Sequence, residues 1–180
     1  MPSPLGHALF GASLWSALRS EDESGRTAWI GAGLAVLPDV DFVGFALGVP
    51  YETMFGHRGI THSILFALVA GTVAWRLMLG PPSRAVPKFL WLYLTLAALS
   101  HGILDALTDG GLGVAFFAPF DATRYSFPFR PILVSPLSLE KFLTMRGVRI
   151  LANEATWVGI PSLVLYGIGV LRRSVRRQHT

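Results

Sequence analysis

Three apolar runs, residues 60–79, 89–107 and 155–171, limit what this chain can fold into. A helix needs ~20 residues, range ~17–25, to cross about 30 Å of hydrocarbon, so each run is long enough. Buried in a water-soluble domain, three such helices would need a polar coat of matching size. The chain lacks one. Of its 180 residues 14% are charged, against roughly 25% in ordinary globular chains. With 52% hydrophobic residues and a mean hydropathy of +0.51, the composition predicts a multi-pass membrane protein.

Two weaker helices precede these runs. Residues 4–18 are apolar but short, and residues 29–37 stop at Pro38 before apolar character resumes in "FVGFALGV". Proline removes a backbone donor and disfavours helical geometry in the residue before it, so a break is expected between Leu37 and Pro38. The N-terminal "MPSPLGHALFGASLWSALRS" has no basic n-region and carries a histidine in its apolar stretch, so it reads as part of the mature fold. The expected fold is all-α: one membrane-embedded domain over residues 1–180, a polytopic bundle of about five helices. An aromatic-rich loop, "AFFAPFDATRYSFPFR", joins the last two spans, and a basic tail covers residues 172–180.

Charge placement gives an orientation. The connections "RSEDESGRT" and "WRLMLGPPSRAVPK" hold five Lys/Arg and the tail "RRSVRR" holds four. Five alternating spans put these segments on one side, which the positive-inside rule makes cytoplasmic. The N-terminus and residues 39–58 and 108–153 then face outward. The net charge of +4 includes no basic run inside a polar domain, so nucleic acid is not an expected partner; the bilayer is. There is no cysteine, which removes disulfides and thiolate metal sites.

This arrangement brings His7, Asp39, Asp41, His57, His62, His101, Asp105 and Glu154 toward one end of the bundle. His101 and Asp105, in "SHGILDALTDGG", are four apart and share a helical face. They either grip a cation or form a buried hydrogen bond between helices. Ionisable groups inside a membrane segment are costly and point to function by default. Asp39 and Asp41, in "LPDVDF", are site carboxylates or turn and capping residues. In "GHRGITHS", Thr61 and Ser63 suit a helix cap, and the glycines let backbone approach something closely. Arg58 there meets a phosphate or carboxylate, or pairs with an aspartate. Imidazole and carboxylate without thiolate form a donor set for Zn2+, with Mn2+ or Fe2+ as alternatives. The aromatic loop reads as an interfacial belt, or as a lid whose Arg124 and Arg130 meet phosphate groups.

Together, "GH", "LPDVD", "GHRGITHS", "LSHGILDALTDGG" and "RYSFPFRPI" resemble the bacterial inner-membrane, metal-dependent hydrolase family of the YdjM/YbcI type, over residues 6–154. The ligand pattern is also distantly similar to the zinc-dependent phospholipase C and P1 nuclease group, whose members are soluble. That similarity implies His101 and Asp105 as a ligand pair, Glu154 as a late ligand, Asp39, His57 and His62 as intervening ones and His7 as an early one. The expected activity is hydrolysis of a phosphoester or lipid-derived substrate by metal-activated water. Asp39 and Asp41 would divide the roles of ligand and general base, and Arg58 would stabilise a developing anionic oxygen. The alternative is a non-catalytic membrane protein with a structural metal or a His/Asp ion relay.

Overall fold

A computed structural model describes residues 1–19, 25–79, 88–136 and 139–178. Among the described residues, eight α-helices form five rods and one short separate helix. Helix α1 spans Pro4–Leu18 and α2 Arg26–Val36, which continues through a 3-10 turn at Leu37–Asp41 into α3, Phe42–Ala46. A second 3-10 turn, Ile60–His62, leads into α4, Ile64–Leu79, and α5 follows at Lys88–Ala106. Short α6, Leu139–Phe142, precedes the last rod, in which α7 (Met145–Glu154), a π-helical segment (Ala155–Gly159) and α8 (Ile160–Arg177) run on without a break. No strand longer than an isolated bridge occurs among the described residues.

Among the described residues, three rods are long and apolar enough to cross a membrane: Arg26–Ala46, Phe89–Ala106 and Met145–Arg177. Ile64–Met78 is apolar but shorter. The expected span over 60–79 therefore loses its first turn, because residues 60–62 are drawn into the 3-10 turn. The expected break at Pro38 is a tightening rather than an end, since pairing over three residues carries the chain past the proline. The last rod starts ten residues earlier than hydropathy suggests. Helix α7 alternates exposed Met145, Val148 and Leu151 with Arg146 and Arg149, which hides it from an average over the window.

Helix α1 is central and packs on α2, α5 and α8, while α4 lies against α5. Trp15, Leu34, Ala67, Leu90, Tyr93, Leu94, Ala97 and Ala98 form the main core. Backbones meet closely where α1, α2 and α5 cross. A Cβ on Gly31 would fall 1.8 Å from Tyr93 Oη, and one on Gly11 would fall 2.6 Å from the Ala35 Cβ. Lipid is as apolar as leucine, so membrane helices associate through such small-residue contacts and hydrogen bonds. Tyr93 supplies one of these bonds, its hydroxyl donating to the Gly11 carbonyl at 3.2 Å. The outside stays apolar, with Trp29, Val69, Val73, Leu77 and Leu163 exposed.

The loop after α5 folds back over one end of the bundle. Asp109 N donates to Ile132 O and Ile132 N to Leu107 O, while Val114 and Tyr125 exchange both backbone bonds. Ala115 N then donates to Arg58 O, and Ile64 N to Phe116 O. These bonds strap the loop to the "GHRGITHS" turn.

Candidate metal centre

Four elements bring the polar side chains together. Helix α1 supplies His7, the 3-10 turn after α2 supplies Asp39 and Asp41, the "GHRGITHS" turn supplies His57, Arg58 and His62, and α5 supplies His101 and Asp105. All eight are buried.

Local chemistry sets each orientation. His101 Nδ1 donates to the Ala35 carbonyl at 2.7 Å; a carbonyl only accepts, so that nitrogen carries the proton. His62 Nδ1 lies 3.2 Å from Asp41 Oδ2 and 3.0 Å from Thr61 Oγ1, whose hydroxyl itself donates to Asp41 Oδ2. With both Nδ1 protons committed, the two Nε2 atoms face each other at 3.0 Å. Asp39 Oδ1 lies 3.3 Å from His101 Nε2, and Asp105 Oδ2 lies 3.4 Å from His62 Nε2. His7 stacks flat on His101, centroids 3.8 Å apart, and brings its Nε2 to 3.3 Å from Asp105 Oδ1. Both ring nitrogens of His7 and both carboxylate oxygens of Asp39 and of Asp105 are buried without a hydrogen bond.

The two aspartates of "LPDVD" differ. Asp41 accepts from His57 Nδ1 at 2.8 Å, from Arg58 N and from Thr61 Oγ1. Asp39 makes ion-pair contacts only. On the 3-10 turn both reach His62, from two sides, Asp41 at Nδ1 and Asp39 at Nε2.

Arg58 adopts a left-handed backbone, φ 61°, costly for a non-glycine residue. Its guanidinium is consumed internally: Nε sits 3.0 Å from Asp105 Oδ2, Nη1 donates to Gly110 O and Nη2 to Thr108 Oγ1. Of the two readings of Arg58, the structure selects pairing with an aspartate. Glu154 is a second departure. Ser3 donates to it through both its backbone N–H and its hydroxyl, the latter at 2.6 Å, and Ser3 also caps α1 through Gly6 N. It lies mid-rod rather than at a helix end and falls outside the three groups of close donors: His7, His101 and Asp105; Asp39, His62 and His101; Asp41, His57 and His62. The glycines of the turn admit protein backbone, since a Cβ on Gly56 or Gly59 would meet the carbonyls of Pro50 or Met54 at 2.2 and 2.1 Å. Ser63 caps α4 through Phe66 N as expected, whereas Thr61 serves Asp41.

The site's electrostatics favour a cation. Burial lowers the affinity of His62 for a proton, but the Asp105 and Asp41 carboxylates beside its ring nitrogens raise it more, so its pKa lies above 6.5. His57 goes the other way, below 6.5, because burial outweighs the Asp41 contact. Asp39, Asp41 and Asp105 are all buried, and of the three only Asp105 faces the Arg58 guanidinium, at 3.0 Å, and the Met1 ammonium, at 4.0 Å.

Several contributors carry no sequence signal of their own. Thr108, Gly110 and the Ala35 carbonyl are ordinary in sequence, and only their positions matter. Arg124 donates to the carbonyls of His57, Tyr51 and Thr53, so it clamps the turn from the aromatic loop and is not free to meet a phosphate. Phe117, Phe120, Phe127 and Phe129 on that loop are exposed, as an interfacial belt requires.

The model of the YdjM inner membrane protein family matches residues 1–178. The chain belongs to this family. It is also similar to the inner membrane protein YbcI of Escherichia coli (strain K12), 36% identical over 174 residues, which cover 96% of this chain and 99% of that one. No solved structure matches. Family and relative are described as inner membrane proteins, in keeping with the three spanning rods.

Proposed function

We propose that this chain is a membrane-bound, metal-dependent hydrolase whose ion is held by Asp39, His62, His101 and Asp105, with His7 on the Asp105 side. The observation that carries this reading is the meeting of the His62 and His101 Nε2 atoms at 3.0 Å with their protons committed elsewhere. Two lone pairs and two carboxylates, of which Asp105 is paired with Arg58, are directed at one volume, where a cation would offset their repulsion. The donor set suits Zn2+, with Mn2+ and Fe2+ as the other candidates.

When bound, such an ion polarises a phosphoryl oxygen and lowers the pKa of water from 15.7 toward ~7. The chain's residues do the rest. Asp41 fixes the tautomers of His57 and His62, an orienting role typical of carboxylates behind metal-binding imidazoles. Arg58 and Thr108 hold Asp105 in register. Glu154 anchors the start of α1 and so places His7. A cavity of about 390 Å³ lined by Met1, Leu5, Phe42, Pro136 and Phe142 opens beside the cluster, with Phe42 stacked on His57 at 4.5 Å. Its apolar walls support a lipid-derived phosphoester as the substrate class. The cluster end is read as non-cytoplasmic and the C-terminus as cytoplasmic, from the charge of the connections.

One observation favours a structural metal instead: every donor is buried, and His7, His101 and Asp105 are fully so. An ion relay is disfavoured, because the other half of α5 is lined by Leu90, Tyr93, Leu94 and Ala97. Elemental analysis of detergent-purified wild type and of the His101→Ala, Asp105→Ala double variant tests the site, alongside hydrolysis of a chromogenic phosphodiester and of phospholipid. Stoichiometric metal and hydrolysis, both lost in a folded variant, support the enzyme. Metal without hydrolysis, in a protein whose variant unfolds, makes the metal structural. No metal after reconstitution with Zn2+, Mn2+ and Fe2+ overturns both.

A further inference from the structure

The last rod is longer than a bilayer's hydrocarbon is thick. Arg149 and Arg172 lie on one continuous helix, 23 residues apart, or about 35 Å at 1.5 Å per residue, against ~30 Å of hydrocarbon. Between them Glu154 is the one charged side chain, and Ser3 holds it. The arginines therefore mark the two headgroup layers, with Arg146 and Arg149 in the layer at the cluster end.

There α7 and the loop after α5 form a cleft of about 410 Å³, lined by Asp109, Leu133, Val134, Met145, Arg146 and Arg149. It shares no lining residue with the cavity beside the His/Asp cluster. Its loop wall is pinned: Val134 N donates to Asp109 Oδ1 and Leu133 N to Asn153 Oδ1, each at 2.8 Å. Asp109, Arg146 and Arg149 are all exposed. Among the described residues neither guanidinium has a hydrogen bond or ion pair, and Asp109 Oδ2 meets no donor. Arg146 and Arg149, three apart on α7, share a face. Met145, Val148 and Leu151 are exposed along the same helix and lead from the cleft toward the hydrocarbon.

The charges that the protein leaves unused are two cations and one carboxylate oxygen. Paired guanidinium groups match the oxygens of a phosphodiester. A primary ammonium beside that phosphate would meet the carboxylate. A quaternary ammonium has no N–H to donate, and a headgroup with negative charge alone would be repelled by Asp109.

We propose that this cleft binds a phospholipid with a primary-amine headgroup, of the phosphatidylethanolamine class, from the surrounding bilayer. Its phosphate sits between Arg146 and Arg149, its ammonium at Asp109 Oδ2 and its acyl chains along Met145, Val148 and Leu151. The assignment does not rest on the metal reading.

Native mass spectrometry tests this on delipidated protein in detergent, offered dioleoyl-phosphatidylethanolamine, dioleoyl-phosphatidylcholine or dioleoyl-phosphatidylglycerol. Wild type should retain one phosphatidylethanolamine per chain, about tenfold more tightly than either other lipid, the scale of one charge-assisted hydrogen bond. Arg146→Gln combined with Arg149→Gln should weaken that retention at least tenfold. Lys141→Gln, a neighbouring basic residue outside the cleft, should match wild type. Asp109→Asn keeps the oxygen that Val134 N needs and removes the charge, so it should hold phosphatidylethanolamine and phosphatidylcholine alike. The substituted side chains are exposed, and the lipid-free variants should unfold at the wild-type temperature. Equal retention of the three lipids by wild type, a preference for phosphatidylglycerol, or unchanged retention by the double arginine variant would each overturn the proposal.

Discussion

The two halves of α5 are built from the same helix and do different work. Its first half packs Leu90, Tyr93, Leu94, Ala97 and Ala98 against α1, α2 and α4; the Tyr93 hydroxyl is satisfied by carbonyls of α1 and α2 and Trp91 Nε1 by Thr72 Oγ1, while Thr95 Oγ1 is buried without a partner. Its second half presents His101 and Asp105 to other ionisable side chains, and both carboxylate oxygens of Asp105 lack a hydrogen bond. The first half is held by packing and neutral hydrogen bonds. On the proposed metal reading a cation completes the second, so chelation should affect the second half alone and loss of packing both.

The largest effect should come from Asp105→Asn. It leaves Arg58 buried without its anion, a loss of about 3–5 kcal/mol, and removes an oxygen from two faces of the cluster. Unfolding in detergent should shift by that amount, and the variant should become insensitive to chelator. A variant that keeps wild-type chelator sensitivity would break the contrast. Next is Gly31→Leu in the packing half, where the added Cβ strikes Tyr93 Oη. Overpacking costs about 1–3 kcal/mol, yet this variant should keep its metal, because no donor moves with Gly31. Metal lost from Gly31→Leu would show that the halves are not separable.

A smaller change sharpens the cluster side alone. Thr61→Val removes one hydrogen bond to Asp41, costing about 1 kcal/mol, and frees the His62 ring to turn. Metal affinity should fall while thermal stability of the metal-free protein hardly moves. Affinity should also fall as pH drops. The His62 pKa is raised above 6.5, so a proton competes with the ion from above that value downward. Affinity constant from pH 8 to pH 5 would exclude His62 as a ligand. The smallest effect is expected for Phe120→Ser on the exposed loop, within about 0.5 kcal/mol and with metal content unchanged.

Much of this contrast is legible in the sequence. The four-residue spacing of His101 and Asp105 places them on one helical face, and the apolar stretch before them announces the packing half. The helix cap by Ser63 is legible too. What misleads is local plausibility. Glu154, standing before an apolar run, looks like a residue at a helix end near the site. Nine further helical residues precede it and Ser3 claims it. Arg124, in an aromatic loop, looks ready for phosphate, yet three backbone carbonyls hold it.

By itself the sequence determined the class of protein and the end of the bundle where chemistry gathers. Hydropathy and helical period are local properties, and a run of apolar residues has few ways to satisfy its backbone outside a helix in lipid. Tertiary structure decided the roles. Asp39 and Asp41 are the same side chain two residues apart, but Asp41 alone is ringed by His57, Arg58, Thr61 and His62. His101 presents Nε2 because its other nitrogen meets the Ala35 carbonyl, 66 residues away. Which atom of a side chain remains available depends on which partner has taken the other, and those partners come from distant segments that only folding brings into reach.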